Sequence, residues 1–344
     1  MIRILVFIAL LVVPIVSAFA AEPAPLFQSQ ETLAITLTGP FRQIDRERNK
    51  AKEYEGSLSY QSAAGQEITL DASLEARGNY RLRQDVCRYS QLWVDLKRRQ
   101  VPDTLFAGQN RLKLVVQCRP QTRYAAYVIK EYLAYRMFDQ LTDVGFKVRL
   151  VNVTYSYLDN AGESRTHLGL LIENKDTVAE RFNTSVVEEN RVRVGTLEPG
   201  AATLVALFMM MIGNTDFSLA SGPEGEECCH NAKLLVNDSA FLPIPYDFDG
   251  SGFVNASYAA DPNPSFGIRN NRERLYRGYC IHNDFVAATL SVFQSAINDI
   301  FAVVSDSRLT PRDSLTATAY LEDFFQLIND PQEVQDKIID NCRS

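Results

Sequence analysis

The chain has 344 residues, with 35 lysines and arginines against 42 acids, for a formal charge of −7. That balance disfavours nucleic acid as the main partner, because phosphate backbones are held by net positive faces. Apolar residues make up 46% of the chain, too many for a disordered polymer, and the length fits one large domain or two tightly packed lobes.

Taken in chain order, residues 1–20 read as a cleaved export signal. Arg3 supplies the positive end, Ile4 to Val16 is apolar, and Ser17-Ala18-Phe19-Ala20 has the small–x–small spacing of a cleavage site. This predicts a periplasmic or extracellular protein with no membrane span after cleavage. Ala201 to Ile212, the strongest later candidate, is about half the length a bilayer needs. Six cysteines (Cys87, Cys118, Cys228, Cys229, Cys280, Cys342) form an even set suited to pairing in an oxidising compartment. Spacing does not select the pairing, but adjacent Cys228 and Cys229 are expected to take different partners. A zinc site is not expected, since there is no C-x-x-C and His230 lacks a second ligand pair.

Residues 21–30 read as a flexible leader and 31–344 as a single domain. Alternating patterns predict strands at Thr32–Leu37, Gly56–Tyr60, Glu67–Leu70, Gln91–Leu96 and Arg111–Val116. Arg42 to Lys52, of mixed charge, reads as a solvated stretch. Helical spacing follows at Tyr124–Leu141, then strands at Lys147–Tyr157 and His167–Glu173 around the Asp159–Gly162 turn, then a short helix at Asp176–Phe182. Thr203–Ile212 predicts a helix buried on most sides. Ala232–Val236 and Ala240–Ile244 flank Asn237-Asp238-Ser239 as a hairpin. Asp284 to Ile339 is helical. A strand-rich half followed by a helical half is an α+β arrangement.

Chemistry concentrates between Met211 and Gly252. Asp216, Asn231, Asp247 and Asp249 arrive in an order that suits phosphoryl transfer. One carboxylate orients a hydroxyl, while an amide and a second carboxylate hold Mg²⁺ through hard oxygens. Asp216 is the candidate catalytic base or hydroxyl-orienting carboxylate, although Asn214 or Asp216 would also serve as a cap. Asn231 and Asp247 are candidate metal ligands with Asp249 beside them; Asn231 would equally suit a turn. An EF-hand beginning at Asp247 would need Glu where Tyr258 stands, so that reading fails. Lys113, mid-strand, with Glu131 one element later, has the order of a phosphate-anchoring pair, with Lys130 as competitor or an edge-strand lysine as the plain reading. Arg77 can add charge to the phosphates. A Ser–His–Asp hydrolase is disfavoured because no G-x-S-x-G is present.

From Leu74 to Val254 the sequence resembles the spore-coat CotH family of atypical kinases. The resemblance rests on Arg77-Gly78-Asn79, the helix Tyr127–Phe138, the strand His167–Glu173 and the short helix Thr177–Phe182. It continues through Asn214-Thr215-Asp216, His230-Asn231 and Tyr246-Asp247-Phe248-Asp249. It implies a two-lobed kinase-like fold, with a strand-rich lobe over about 31–173 and a helical lobe over about 174–344. It also implies ATP with Mg²⁺ or Mn²⁺, Glu173 in the nucleotide pocket, and a protein or small-molecule hydroxyl as acceptor. The rival expectation is a non-catalytic surface-binding or assembly protein, and a metal-dependent phosphohydrolase is a weaker third.

Overall fold

A computed structural model describes residues 21–237 and 240–344. The export signal lies outside the described residues, as do Asp238 and Ser239 of the hairpin turn. Strands β1 (Leu33–Gly39), β2 (Glu53–Gln61), β3 (Glu67–Arg77), β4 (Gln91–Leu96) and β5 (Arg111–Val116) run antiparallel in sequence order. Strand β7 (Ser164–Ile172) pairs with β5 and with β6 (Val148–Tyr157), and β6 returns to β1. The result is a closed seven-stranded barrel.

This corrects the expected two-lobed kinase-like fold. The class is α+β, but the strands form a barrel rather than an open lobe. The closing seam is a parallel pairing from Leu33 with Val151 to Gly39 with Tyr157. Alternation along a strand shows which face is buried; it does not show which distant strand completes a ladder.

Alternate residues fill the barrel. Ile35, Leu37, Leu58, Leu74, Val94, Leu112, Leu114, Val153 and Tyr155 form one interior cluster. Pro25–Phe27, within the stretch expected as a leader, makes a 3-10 turn whose Leu26 and Phe27 are buried in that cluster. The charged stretch after residue 41 carries helix α1 (Phe41–Glu47), because Phe41 and Ile44, three residues apart, bury one face of it.

At one end of the barrel β5, β6 and β7 are covered outside as well as inside, so residues 114–116, 148–151 and 169–172 are buried in succession. Helix α2 (Thr122–Phe138) lies on that outer face. Its Tyr132, Leu133 and Met137 share one core with Leu150 and Leu170 of the barrel and with the C-terminal helices. Helix α3 (Lys175–Arg181) leads towards β8 (Ser185–Val186), which borders the hairpin of β9 (Ala232–Asn237) and β10 (Ala240–Pro245). Helix α4 (Pro199–Ile212) is buried along most of its length, with α5 (Val286–Ser295), α6 (Ile297–Val304) and α7 (Pro311–Asn329) around the same core.

Among the described residues no single helix is long and apolar enough to cross a membrane. The bent pair Cys280–Ser295 and Ile297–Val304 passes on length and composition only. Three cysteine pairs suit an oxidising compartment: Cys87–Cys118, Cys280–Cys342 and Cys228–Cys229. The last corrects the expectation of separate partners for the adjacent cysteines. The Cys280–Cys342 bridge joins residues 62 apart and ties the last residues to the turn before α5. Replacing both cysteines with serine is expected to cost about 4 kcal/mol, from the chain entropy a closed loop of that length removes. Urea melts of the two forms measure it, and coincident midpoints would show that the bridge does not constrain the unfolded chain.

Candidate functional site

The site begins where α4 ends. Gly213 takes φ 64, the left-handed C-cap conformation, and a Cβ there would collide with the Tyr320 hydroxyl. The chain then turns through Asn214, whose side-chain oxygen accepts from the Asp216 amide at 3.0 Å. That turn sends the Asp216 side chain outward, 73% exposed. Two neighbours fix its carboxylate. His230 Nε2 lies 2.7 Å from Oδ1, and Asn231 Nδ2 donates to Oδ2 at 3.2 Å and to the Asp216 carbonyl at 2.6 Å. With Nδ2 committed there, Asn231 Oδ1 is the atom available to a ligand.

The hairpin delivers the other acids. The Asn231 carbonyl accepts from the Tyr246 amide, which joins the start of β9 to the end of β10. Asp247 donates its amide to the Tyr135 hydroxyl of α2 at 3.0 Å. Asn231 and Asp247 both have positive φ, 51° and 64°. Asn and Asp tolerate that region better than other side chains, and such positions gather at functional sites.

Two adjoining hollows of about 280 and 360 Å³ meet here. Arg77, Asp216, His230, Asn231 and Asp247 line both. The structure therefore brings together residues that sequence order keeps far apart. Asp249 lines the first hollow, while Lys113, Lys50 and Lys233 line the second. Among the described residues neither Lys113 nor Arg77 makes an ion pair with a carboxylate, and Arg77 Nε is buried without a hydrogen-bond partner. Lys113 Nζ sits 3.7 Å from the centre of the Tyr246 ring. Burial, reinforced by Arg77, pushes the Lys113 ammonium down to about 7. Both cations are thus placed to gain from an anionic ligand.

Arg81 organises the acids. It is buried and stands 3.2 Å from Asp247 Oδ1, 3.2 Å from Asp249 Oδ2 and 4.0 Å from Glu131 Oε2. Burial opposes ionisation of Asp247, but Arg81, Arg77 and Lys113 together outweigh it and hold that carboxyl below its usual range. Asp249 moves the other way, raised by burial against the pull of Arg81. Burial also pushes Glu131 up to about 8, with Arg81 opposing.

Asp249 pairs with Arg81 at 3.2 Å, as Asp247 does, and also meets Tyr258. Two expectations need revision. Glu131 forms its ion pair with Arg81 rather than Lys113, so the anchoring pair read from strand and helix order is not made. Glu173, expected in the nucleotide pocket, is buried with Arg181 at 2.9 Å and lines neither hollow. Arg81 itself escaped sequence reasoning. It lies in the Arg77–Arg83 cluster, but only burial separates it from Arg83, which is exposed and pairs with Asp85.

Among the described residues no group of three or more His, Cys, Asp and Glu side chains is arranged to hold a metal. The oxygens on offer are Asp247 and Asn231 Oδ1. Mg²⁺ commonly binds through one or two protein oxygens together with substrate phosphates, so this donor set fits an ion carried in by phosphate rather than a resident one.

His230 is raised above its usual value, first by its hydrogen bond to Asp216 and against burial. The proton it gains on folding favours the native state below pH 6.5, and that contribution is lost as pH rises through the folded value. Asp216→Asn is expected to bring the His230 titration, followed by proton NMR, back down towards or below 6.5. A titration that stays high in the variant would mean another group holds the charge. No protein-family model matches this chain, and no curated protein matches it.

Proposed function

We propose that this chain is an exported phosphotransferase that passes the γ-phosphoryl group of a nucleoside triphosphate to a hydroxyl of a protein or small molecule. The observation that carries this reading is the convergence of Asp216, Asn231 and Asp247 with two unpaired cations, Arg77 and Lys113, on one cleft. The CotH-like motifs supply four of them, Arg77, Asp216, Asn231 and Asp247. The barrel-based fold is no part of the case, because chemistry is read from the site. The cysteine pairs and the signal-like residues 1–20 support export.

In this reading Lys113 and Arg77 bind and orient the phosphates. Asp247 and Asn231 Oδ1 would hold Mg²⁺ or Mn²⁺, which when bound neutralises charge on the phosphate oxygens. Asp216, fixed by His230 and Asn231, retains lone pairs to accept a hydrogen bond from the acceptor hydroxyl and aim its oxygen.

A melting experiment tests it. ATP with Mg²⁺ is expected to raise the midpoint by about 3–6 °C near saturation, since a ligand that binds only the folded state must stabilise it. Asp247→Ala should remove the Mg²⁺-dependent part. No shift with millimolar nucleotide would defeat the proposal. One observation favours the second reading, a non-catalytic binding protein: Arg81 already supplies positive charge to Asp247 and Asp249. Nucleotide binding without transfer to any hydroxyl would select that reading.

A further inference from the structure

A second cationic site lies at the end of the barrel formed by α1, the loop after β3 and the β6–β7 turn. It is an open groove of about 620 Å³ that shares no lining residue with the two hollows of the cleft. Arg42, Arg46, Arg48, Arg88, Arg119 and Arg165 line it, against only Asp45 and Glu163. In a chain of net charge −7 this is a marked local reversal.

The internal pairing consumes only part of that charge. Arg42 pairs with Glu163 at 2.6 Å and Arg165 with Asp45 at 3.2 Å. Arg46 is 75% exposed and reaches Glu47 only at 3.9 Å. Arg48 instead donates to the carbonyls of Asp45, Leu82, Cys87 and Arg88, and Arg119 to those of Asp85 and Val86. Carbonyls fix a guanidinium in place without neutralising it. Arg88 donates no side-chain hydrogen bond among the described residues and is exposed. The Cys87–Cys118 bridge adjoins both Arg88 and Arg119 in sequence, and the Arg88 amide donates to the Cys118 carbonyl at 2.9 Å. Arg88 and Arg119 thus reach the same groove from a covalently joined pair of loops.

We infer that this groove binds a compact, soluble anion carrying several phosphate groups. Arg46 and Arg88 keep donor forks that match phosphate oxygens bidentately, while Arg48 and Arg119, already fixed by carbonyls, add positive charge without a further ordering cost. The groove has the volume of a small-molecule site and its arginines line one hollow rather than a plane, which suits a compact ligand better than a flat membrane surface.

Inositol hexakisphosphate is the probe, measured by calorimetry on the full chain. Wild type is expected to bind it, more weakly as salt is added. Arg46→Glu with Arg88→Glu should lower the affinity about tenfold or more, whereas Lys113→Ala, which alters the cleft, should leave it in place. Arg46 and Arg88 are exposed, so the double variant should keep its circular dichroism and melting point; Arg88→Gln alone is the milder second variant. Unchanged affinity in both groove variants would overturn the inference, as would loss of binding in Lys113→Ala alone. Binding to vesicles containing phosphatidylglycerol without binding of the free probe would overturn the soluble-ligand assignment.

Discussion

Arg81→Ala is expected to destabilise the fold by about 3–5 kcal/mol, because removing one partner of a buried ion cluster leaves the remaining charges unpaired. Arg81 is the shared cation of Glu131, Asp247 and Asp249, which come from α2 and from the residues just after β10. Without it, three acids crowd a site where burial already raises two of them. The penalty should therefore grow with pH, since each acid becomes costlier to hold ionised. Urea unfolding at several pH values measures it. Arg83→Ala is the control, since Arg83 is exposed and its pair with Asp85 is screened by solvent. Equal effects from the two variants would show that the cluster is not a structural centre.

The same cluster gives a pH signature in the wild type. A carboxyl raised from 4.5 to about 8 keeps its proton in the folded chain while the unfolded chain releases it. The folded state then binds more protons between those values, so this group makes stability fall as pH rises through that window. Glu131→Gln should flatten that part of the profile.

Asp216→Asn is expected to lower phosphoryl transfer by about 10²–10⁴-fold while nucleotide affinity stays within about threefold. Asp216 is 73% exposed and forms an ion pair with neither Lys113 nor Arg81, so its charge serves the acceptor more than the phosphates. Asn preserves its shape and removes its charge. Turnover and nucleotide binding, measured separately on the same variant, decide the matter. Retained turnover would remove Asp216 from the chemistry. Parallel loss of binding would recast it as a support for His230 and Asn231.

The local elements were largely legible. Strands β4 and β5 match their expected ranges because alternation and β-branched residues are written in consecutive positions. Helix α4 was legible from a run with almost no polar residue, and the hairpin from two apolar runs around Asn237. Helix α1 was missed because its charged residues outnumber the two apolar ones that anchor it. The pairing of Cys228 with Cys229 is not legible because two adjacent cysteines read the same whether they pair with each other or with distant partners.

By itself the sequence determined the type and chain order of most elements, the faces they bury, and which oxygen-bearing and cationic side chains stand near their ends, though not the ends themselves: β3 runs on to Arg77 rather than stopping at Leu70. Periodicity and turn chemistry are properties of neighbouring residues, so a linear reading contains them. The tertiary structure alone decided that β1 seals a barrel against β6, that Arg81 rather than Lys113 meets Glu131, and that Glu173 turns to Arg181. Those outcomes depend on which surfaces lose water together, and desolvation is a property of the packed chain rather than of any segment.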